Sequence, residues 1–207
     1  MQLQPRILIS TFYTARRTIL QMQHPTSSRT NMHKPQPPLI YRAPRKSDLD
    51  RLFAIYSDPR TNLFNPAGPL SSVQEAQQLL TRWLDHWEEH GFGWWAITTS
   101  EAPEHVIGFG GVAYLNYLTE RRANLGYRFA VEAWGKGYAT RVGRAALDKA
   151  FGRLCLPEVF GLVRPDHKAS IRVLEKIGMR PIGELDDVPG KPSSLVFNIK
   201  CPVPDSG

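Results

Sequence analysis

The feature that most restricts the fold of this chain is a strand that runs through two glycines directly into a helix. Apolar residues alternate from Leu125 to Val131, which predicts a β-strand. Gly135 and Gly137 follow, and apolar residues then recur at helical spacing. Such a loop leaves backbone N–H groups without partners at the positive end of the helix dipole. The segment therefore predicts an anion site that suits a phosphate or pyrophosphate.

Two common phosphate-binding loops do not fit these residues. A Walker A loop needs a glycine five residues before its Gly-Lys pair and a Ser or Thr after the Lys, but Ala130 and Tyr138 occupy those positions. A dinucleotide-binding loop needs a third glycine at the position of Thr140. The pattern that remains is the shorter Gly-Lys-Gly-Tyr-Ala of residues 135–139.

The positive charge of the chain is concentrated near its N-terminus. Of the 26 Lys and Arg residues, eight lie within residues 1–47, which contain no Asp or Glu. The other 160 residues therefore carry 18 basic and 19 acidic side chains, so the formal net charge of +7 does not describe them. Because nucleic-acid-binding domains present a basic surface, this distribution argues against such a domain in the body of the chain.

Residues 1–37 are rich in Pro, Ser, Thr, Gln and basic residues, which predicts a flexible basic extension before a domain at residues 38–202. The acid-free composition and the paired arginines Arg16 and Arg17 are typical of a mitochondrial presequence. An upstream start codon, with Met22 or Met32 as the true first residue, explains the same composition. We favour this second interpretation.

Cysteine usage and hydropathy indicate a reducing, cytoplasmic setting. Cys155 and Cys201 lie far apart and lack the spacing of metal ligands, so neither a metal site nor a disulfide framework is predicted. Cys155 lies in an apolar stretch and is expected in the core. No apolar run approaches the ~18 residues that a membrane-spanning helix needs, so no membrane partner is expected.

Three segments resemble the GNAT N-acetyltransferase superfamily, whose members bind acetyl-CoA through a Q/R-x-x-G-x-G/A loop. Gly137 and Ala139 match the last two positions of that loop. Trp134 occupies the first position, as in the subgroup that resembles the ribosomal-protein N-acetyltransferases RimJ and RimL. Residues 170–179 resemble the second signature of that subgroup, and residues 39–59 resemble its opening strand and helix. The resemblance covers residues 38–200.

The resemblance implies an α/β fold in which a central, mostly antiparallel sheet carries helices on both faces. With that family's element order, the sequence predicts β-α-α-β-β-β-α-β-α-β-β. The predicted strands lie at 39–42, 93–97, 106–115, 125–131, 156–163, 179–183 and 195–199. The predicted helices lie around 49–56, at 72–89, after Gly137, and at 170–177.

The resemblance also implies an enzyme that moves the acetyl group of acetyl-CoA to a primary amine without a metal. The implied cosubstrate-binding residues are Phe129, Ala130, Val131, Trp134, Gly135, Lys136, Gly137, Tyr138, Ala139 and Thr140. The amides of residues 135–140 would bind the pyrophosphate, and the pantetheine arm would lie beside strand residues 127–131. That arrangement requires this strand to separate from its neighbour near Val159. The amine would attack the thioester directly in a ternary complex, and backbone N–H groups would stabilise the oxyanion.

Ser170 and His167 are the predicted catalytic residues. Ser170 matches the serine of the second signature, where it would protonate the leaving thiolate, and it would equally well cap the helix that it begins. His167 stands where the family usually has asparagine, and it would act as acid or base or else face solvent. Asn124 replaces the glutamate that commonly precedes the Gly-Tyr pair, and asparagine cannot accept a proton at neutral pH. The replacement bases considered are Glu120, Glu132 and His86.

Four tryptophans cluster in the sequence at positions 83, 87, 94 and 95. Trp83 and Trp87 share one face of the second predicted helix, and most of the four are expected in the core. Trp94 or Trp95 would remain free to wall the acceptor pocket.

The sequence does not choose the acceptor, which the family leaves open among a protein N-terminus, a polyamine, an amino acid and an aminoglycoside-like amine. The alternative function is an acetyl-CoA-binding or regulatory protein of the same fold with weak catalysis, which the changes at Asn124 and His167 suggest. A third, lesser hypothesis gives the basic extension a role in docking on RNA or the ribosome. A homodimer is also compatible with the sequence.

Overall fold

The computed structural model describes residues 36–117 and 119–202, so nearly all of the predicted extension lies outside the described residues. The strands within this range are β1 (Leu39–Arg42), β2 (Trp95–Thr99), β3 (Gly108–Tyr117), β4 (Glu120–Phe129), β5 (Glu158–Val163), β6 (Arg180–Leu185) and β7 (Ser194–Lys200). The α-helices are α1 (Leu49–Ser57), α2 (Val73–His90), α3 (Tyr138–Gly152) and α4 (Lys168–Lys176). Their order along the chain is the predicted order.

The strands form one sheet in the order β1-β2-β3-β4-β5-β7-β6. Every neighbouring pair is antiparallel except β4 and β5, which run parallel. The predicted, mostly antiparallel sheet is therefore confirmed. The single parallel pair joins the four antiparallel strands β1–β4 to the β5–β7–β6 group, and α3 is the crossover that makes this connection possible.

Helices cover both faces of the sheet, as predicted. On one face, α1 and α2 pack through Leu52, Ile55 and Leu80 against Phe109. On the other face, α3 and α4 pack against a second apolar cluster that includes Leu125, Val142, Val159 and Leu174. Consecutive strand residues point to opposite faces, so Ala96 joins the first cluster and Ile97 the second.

The sequence sets both ends of α2. The Ser72 hydroxyl accepts a hydrogen bond from the Glu75 N–H at 3.2 Å, and the Glu75 carboxylate accepts one from the Ser71 N–H at 2.8 Å. Both bonds satisfy N–H groups that lack a partner at a helix start. At the other end Gly91 adopts a left-handed φ of 69° and donates its N–H to the Trp87 carbonyl. The helix bounds differ from the predicted 72–89 by one residue.

Strand β4 ends two residues before the predicted end. The chain turns at Ala130, whose N–H donates to the Ile107 carbonyl at 2.9 Å, and Val131–Ala133 forms a short 3-10 helix. The Trp134 indole then donates to the Phe129 carbonyl at 3.1 Å. Val131 continues the apolar alternation of the strand, so the sequence pattern placed it in the strand although it lies in the turn.

The expectation that Cys155 lies in the core is wrong. Cys155 is exposed in the loop between α3 and β5, and its φ is 50°. A positive φ is uncommon for a residue with a Cβ, and it occurs here because the chain reverses direction between the end of α3 and the start of β5. Leu156, the next residue, is buried in its place.

Candidate active site

A cavity opens where β4 and β5 part. The two strands pair at a single position, Asn124 with Phe160, and diverge beyond it. The cavity has a volume of about 810 Å³. The lining comes from the end of α1 and the segment after it (Tyr56, Arg60, Leu63, Phe64), from β4 (Gly126, Tyr127, Arg128, Phe129), from the glycine loop, and from the chain between β5 and α4 with the start of α4 (Arg164, His167, Ser170). The separation of strands that the resemblance requires is present, at Asn124 and Phe160.

The glycine loop presents a helix start without a side-chain cap. Gly135 and Gly137 have φ values of 73° and 69°, and no side chain bonds to the first turn of α3. The first helical N–H with an acceptor in the described part of the chain is that of Arg141, which donates to the Gly137 carbonyl at 3.3 Å. The N–H groups of residues 138–140 are therefore available, at the positive end of the helix dipole, to an anion.

Most of the residues predicted to bind the cosubstrate line this cavity: Phe129, Trp134, Gly135, Gly137, Tyr138, Ala139 and Thr140. The other three do not line it. Ala130 is buried in the turn, Val131 lies in the 3-10 helix, and Lys136 is exposed at the tip of the loop. The Arg141 guanidinium donates to the Pro37 carbonyl at 2.9 Å, so this first-turn arginine fixes the chain before β1.

Ser170 does not cap α4. The helix starts at Lys168 after an N-cap at His167, so Ser170 lies within the first turn. Its hydroxyl is 2.9 Å from the Tyr127 hydroxyl, and either oxygen can be the donor. Burial raises the pKa of Tyr127 to about 12. The Tyr127 hydroxyl therefore stays protonated at neutral pH and can donate to Ser170.

His167 faces the cavity from the turn before α4. Its imidazole stacks on the Phe64 ring, with the centroids 4.2 Å apart and the planes 13° from parallel. Burial lowers the pKa of His167, and the nearby Arg128 charge lowers it further. An imidazole with a lowered pKa is neutral at physiological pH and can accept a proton there.

The remaining base candidates lie outside the cavity. Asn124, which stands where the family usually has the base, lines the cavity, but it is buried and accepts a hydrogen bond from the Tyr117 hydroxyl across the β3–β4 hairpin. Glu120 pairs with Arg122, and Glu132 pairs with Arg51. His86 lies between the Phe92 carbonyl and the Tyr114 N–H.

Among the four tryptophans, Trp94 alone lines the cavity. Its ring lies over Gly126, where an added Cβ would come within 2.7 Å of it. Trp95 is buried and packs on Tyr41, and the Trp87 indole donates to the Trp94 carbonyl at 2.8 Å. The expectation that most of the cluster belongs to the core is confirmed.

Sequence reasoning missed Arg128. Its guanidinium is partly buried, donates to the Asn62 side-chain carbonyl and lies 4.3 Å from the centre of the Tyr56 ring. In the described part of the chain no carboxylate lies within ion-pair distance of it. The available signal was a charged residue at the centre of the otherwise uncharged run 125–131, between Tyr127 and Phe129.

Two further polar atoms on this side of the cavity have no partner. The Tyr56 hydroxyl and the Trp94 indole N–H are buried and make no hydrogen bond with the described residues. Leaving such a group unpaired costs about 1–3 kcal/mol, and a ligand that bonds to it recovers part of that cost. Burial also raises the pKa of Tyr56, so its hydroxyl keeps the proton that it would donate.

No group of three or more His, Cys, Asp or Glu side chains within residues 36–117 and 119–202 is placed to hold a metal ion. Among the helices of the same residues, none is both long and apolar enough to cross a membrane.

The chain also resembles known proteins in sequence. The family model for the GNAT acetyltransferase domain matches residues 38–180. YkkB of Bacillus subtilis is 36% identical over 130 residues, which are 60% of this chain and 71% of that protein. The N-acetyltransferase YoaA of the same organism is 27% identical over 149 residues, 71% of this chain and 82% of that protein.

Solved structures share the fold. A spermidine N-acetyltransferase from Vibrio cholerae, solved with CoA and spermine, aligns with a TM-score of 0.65 at 21% identity and covers 79% of this chain and 95% of its own. A ribosomal-protein-S5-alanine acetyltransferase from Vibrio fischeri aligns with a TM-score of 0.64 at 19% identity and covers 79% and 93%. The family model covers most of the described residues, which include the separated strands β4 and β5 and the uncapped glycine loop. The chain therefore belongs to the GNAT acetyltransferase family.

Proposed function

We propose that this acetyltransferase moves the acetyl group of acetyl-CoA to a primary amine by direct attack in a ternary complex, and that it belongs to the RimJ/RimL-like subgroup. The observation that carries the proposal is the gap between β4 and β5, which opens onto the uncapped start of α3 and contains both His167 and Ser170. The neighbour from Vibrio cholerae was solved with CoA, which supports the choice of cosubstrate. Trp134 in the first loop position supports the subgroup.

The cosubstrate site of this proposal uses backbone more than side chains. The N–H groups of residues 138–140, together with the loop before them, bind the pyrophosphate. Beyond Asn124, β4 lacks a partner strand on its β5 side, so its free backbone groups can pair with the extended pantetheine arm as an added strand does. The residues proposed to bind acetyl-CoA are those of the glycine loop and Phe129. In this proposal Ala130 and Val131 contribute backbone groups only, and Lys136 contributes its charge only.

His167 is the proposed base. Acetyl-CoA supplies an acyl carbon that is open to attack and a thiolate leaving group. The amine nitrogen forms the new bond to that carbon, and the proton that the nitrogen then loses passes to the neutral imidazole of His167. Burial beside Arg128 keeps that imidazole unprotonated at neutral pH. The stacked Phe64 ring fixes the orientation of the imidazole.

Ser170 and Tyr127 are the proposed acid. As the carbon–sulfur bond breaks, the hydroxyl of Ser170 donates its proton to the sulfur and takes up the proton of the Tyr127 hydroxyl through their hydrogen bond, and the proton held by His167 returns to Tyr127 through water. No covalent enzyme intermediate is needed, so Cys155 and Cys201 have no part in the reaction. The family membership and the neutral His167 favour this enzyme over a protein that only binds acetyl-CoA.

The test uses two glycines with the same backbone angle. Gly137 and Gly91 both have φ 69°, and a Cβ at either position would meet nothing within 4 Å, but only Gly137 lies in the loop. Alanine at either site costs about 1–2 kcal/mol of stability because of the left-handed conformation. We expect Gly137→Ala to weaken CoA binding at least about tenfold in calorimetry. Gly91→Ala should leave that affinity unchanged.

Turnover is measured as thiol release from acetyl-CoA with a panel of primary amines. Failure of the wild-type protein to bind CoA would contradict the proposed site. Equal CoA affinity in the wild-type protein and the Gly137→Ala variant would contradict it as well. CoA binding without thiol release for any amine would favour the binding-protein alternative. A cytoplasmic location, a homodimer and docking of the basic extension on RNA or the ribosome stay predictions from the sequence.

A further inference from the structure

We propose that Arg128 recognises a carboxylate, and that the acceptor amine of this enzyme is a small aminocarboxylic acid. This inference rests on the proposed transfer to a primary amine and names its substrate class. The carboxylate would pair with the Arg128 guanidinium while the amino group of the same molecule meets His167.

The charges of the cavity lead to this assignment. Arg60 is paired with Asp58 at 2.7 Å, and Arg164 with Asp187 at 3.2 Å. Arg128 lines the same cavity, and in the described ranges it has only a neutral amide and an aromatic ring as partners. A partly buried guanidinium without a counter-ion is costly, because one neutral amide and one aromatic ring replace only part of the hydration that burial removes. A carboxylate ligand would supply the missing charge and match the planar donor fork.

The surroundings of Arg128 add donors of the right kind. Tyr56, which carries a buried hydroxyl without a partner, lies directly against the guanidinium. Trp94, which carries a buried indole N–H without a partner, covers Gly126, two residues away on the same face of β4. Both groups can donate to a carboxylate, and the indole N–H cannot accept a hydrogen bond from an ammonium at all. This half of the cavity therefore suits an anion.

The same charges disfavour a polycationic acceptor. A polyamine would bring several positive charges beside an uncompensated Arg128, and like charges in a partly buried site repel strongly. The exposed apolar residues Leu63 and Phe64 line the cavity and suit an apolar side chain on the acceptor. The geometry of Arg128 and His167 places recognition of the acid and removal of the amine proton in one cavity.

Carboxylate binding would also assist the base. The positive charge of Arg128 is one of the causes that lower the pKa of His167. A bound carboxylate offsets that charge, so it would raise the affinity of the imidazole for a proton when the acceptor is in place.

The first experiment compares common α- and β-amino acids with their carboxamides on wild-type protein. The carboxamides have less basic amines, so more of each is neutral at pH 7.5, and without recognition they would react faster. We expect the opposite: kcat/KM at least about tenfold higher for the best amino acid than for its carboxamide. Turnover of amines without this preference would overturn the inference and leave the proposed function intact. Absence of CoA binding would instead contradict the proposed function.

The second experiment uses three variants. Arg128→Met should abolish the preference for the acid, and Arg128→Lys should restore part of it because the charge remains while the planar fork is lost. The control is Arg60→Met, which removes a cavity arginine that already has a partner, and it should retain the preference. CoA affinity, measured by calorimetry, should be the same in all four proteins. Weakened CoA binding in Arg128→Met would assign the guanidinium to the cosubstrate and overturn the inference.

A binding measurement on wild-type protein tests the inference if the variants fail to fold or if no amine in the panel gives turnover. N-acetyl-L-leucine and N-acetyl-L-phenylalanine, and their carboxamides, are titrated into wild-type protein loaded with CoA. Tighter binding of the acids by about tenfold or more supports the assignment. Equal binding of acid and amide, or no binding of either, overturns it.

Discussion

The side chains that face the gap between β4 and β5 differ in how firmly they hold a proton, and their surroundings decide the difference. Burial and the Arg128 charge keep the His167 imidazole neutral. Burial keeps the Tyr127 hydroxyl protonated, with a pKa of about 12, and Tyr127 shares its hydrogen bond with Ser170. Two groups whose pKa values are moved apart in this way can act as base and acid in one reaction.

His167 should set the acid limb of the pH–rate profile. Its pKa is lowered from 6.5, so kcat should be flat near neutrality and should fall as the pH drops through a value below 6.5. His167→Gln should remove this limb and lower kcat by roughly 10²–10⁴. The measurement is thiol release at saturating acetyl-CoA and amine from pH 5 to 8. An identical acid limb in the variant would assign the proton to another group.

Ser170 should affect the chemical step rather than binding. Ser170→Ala removes the proton donor and should lower kcat by roughly 10²-fold, with CoA affinity unchanged. Tyr127→Phe is the matched control, since it removes the partner of the serine and leaves the serine in place, and it should have a smaller effect. Equal and small effects of both changes on kcat would contradict the acid role. A thiol ester with a more acidic leaving thiol should restore part of the lost rate in Ser170→Ala.

At the scale of strands and helices, apolar alternation and helix-end residues, together with the element order of the family, placed most elements. The predicted first strand coincides with β1 at Leu39–Arg42. The cap residues Ser72 and Gly91 mark the two ends of α2. The end of β4 could not be predicted, because Val131 has the side chain of a strand residue and the turn depends on a backbone bond from Ala130 to Ile107. Long-range partners of this kind leave no local pattern in a sequence.

The same limit applies to the candidate site. The glycine loop is contiguous, so its residues were found together. Asn124 was interpreted as a lost base, but its partner is Tyr117 across the β3–β4 hairpin. Phe64 and His167 are in contact although about a hundred residues separate them, and nothing in either segment points to the other. Arg128 was missed because a sequence does not say whether a strand arginine has a carboxylate beside it.

The contact between α2 and β3 should make stability depend on pH. The His86 ring donates from Nδ1 to the Phe92 carbonyl at 2.8 Å and accepts at Nε2 from the Tyr114 N–H at 3.0 Å, which requires a neutral imidazole. Burial is the largest cause that lowers the pKa of His86. A lowered folded-state pKa gives stability that is complete above 6.5, the ordinary value, and is lost as the pH falls through the folded value.

Urea unfolding at pH 7.5 and pH 5 measures this contribution. Wild-type protein should lose more free energy of unfolding between the two pH values than His86→Gln, whose side chain does not titrate. The variant itself should cost about 1 kcal/mol at pH 7.5, because one of the two hydrogen bonds is weakened. His167 has a lowered pKa as well and is present in both proteins, so the comparison cancels its effect. Equal losses in the two proteins would contradict the role of His86.

At the scale of the whole molecule, the active site depends on both faces of the sheet. The α3–α4 side contributes the glycine loop and Ser170, and the α1–α2 side contributes Tyr56 and Phe64. The two sides meet where β4 and β5 stop pairing after Asn124, and in the proposed reaction this gap lets the acceptor reach the cosubstrate. An acceptor with a carboxylate would be held from the α1–α2 side while the thioester approaches from the other.

The positive charge of residues 1–31 can be removed by shortening the chain. A variant that begins at Met32 loses Arg6, Arg16, Arg17 and Arg29, which lowers the formal net charge from +7 to +3. The family match starts at residue 38 and the compact unit at Gln36, so the melting temperature, CoA affinity and kcat/KM should be unchanged.

If the extension docks on RNA, the full chain should bind single-stranded RNA with an affinity that falls as the salt concentration rises. The logarithm of the affinity should fall against the logarithm of the salt concentration with a slope of about 0.7 for each phosphate neutralised, and the shortened chain should bind more weakly. Full-length protein with the four arginines changed to glutamine separates charge from length. Equal RNA affinity in all three proteins would remove the docking role, and a lower melting temperature in the shortened chain would make the extension part of the folded domain.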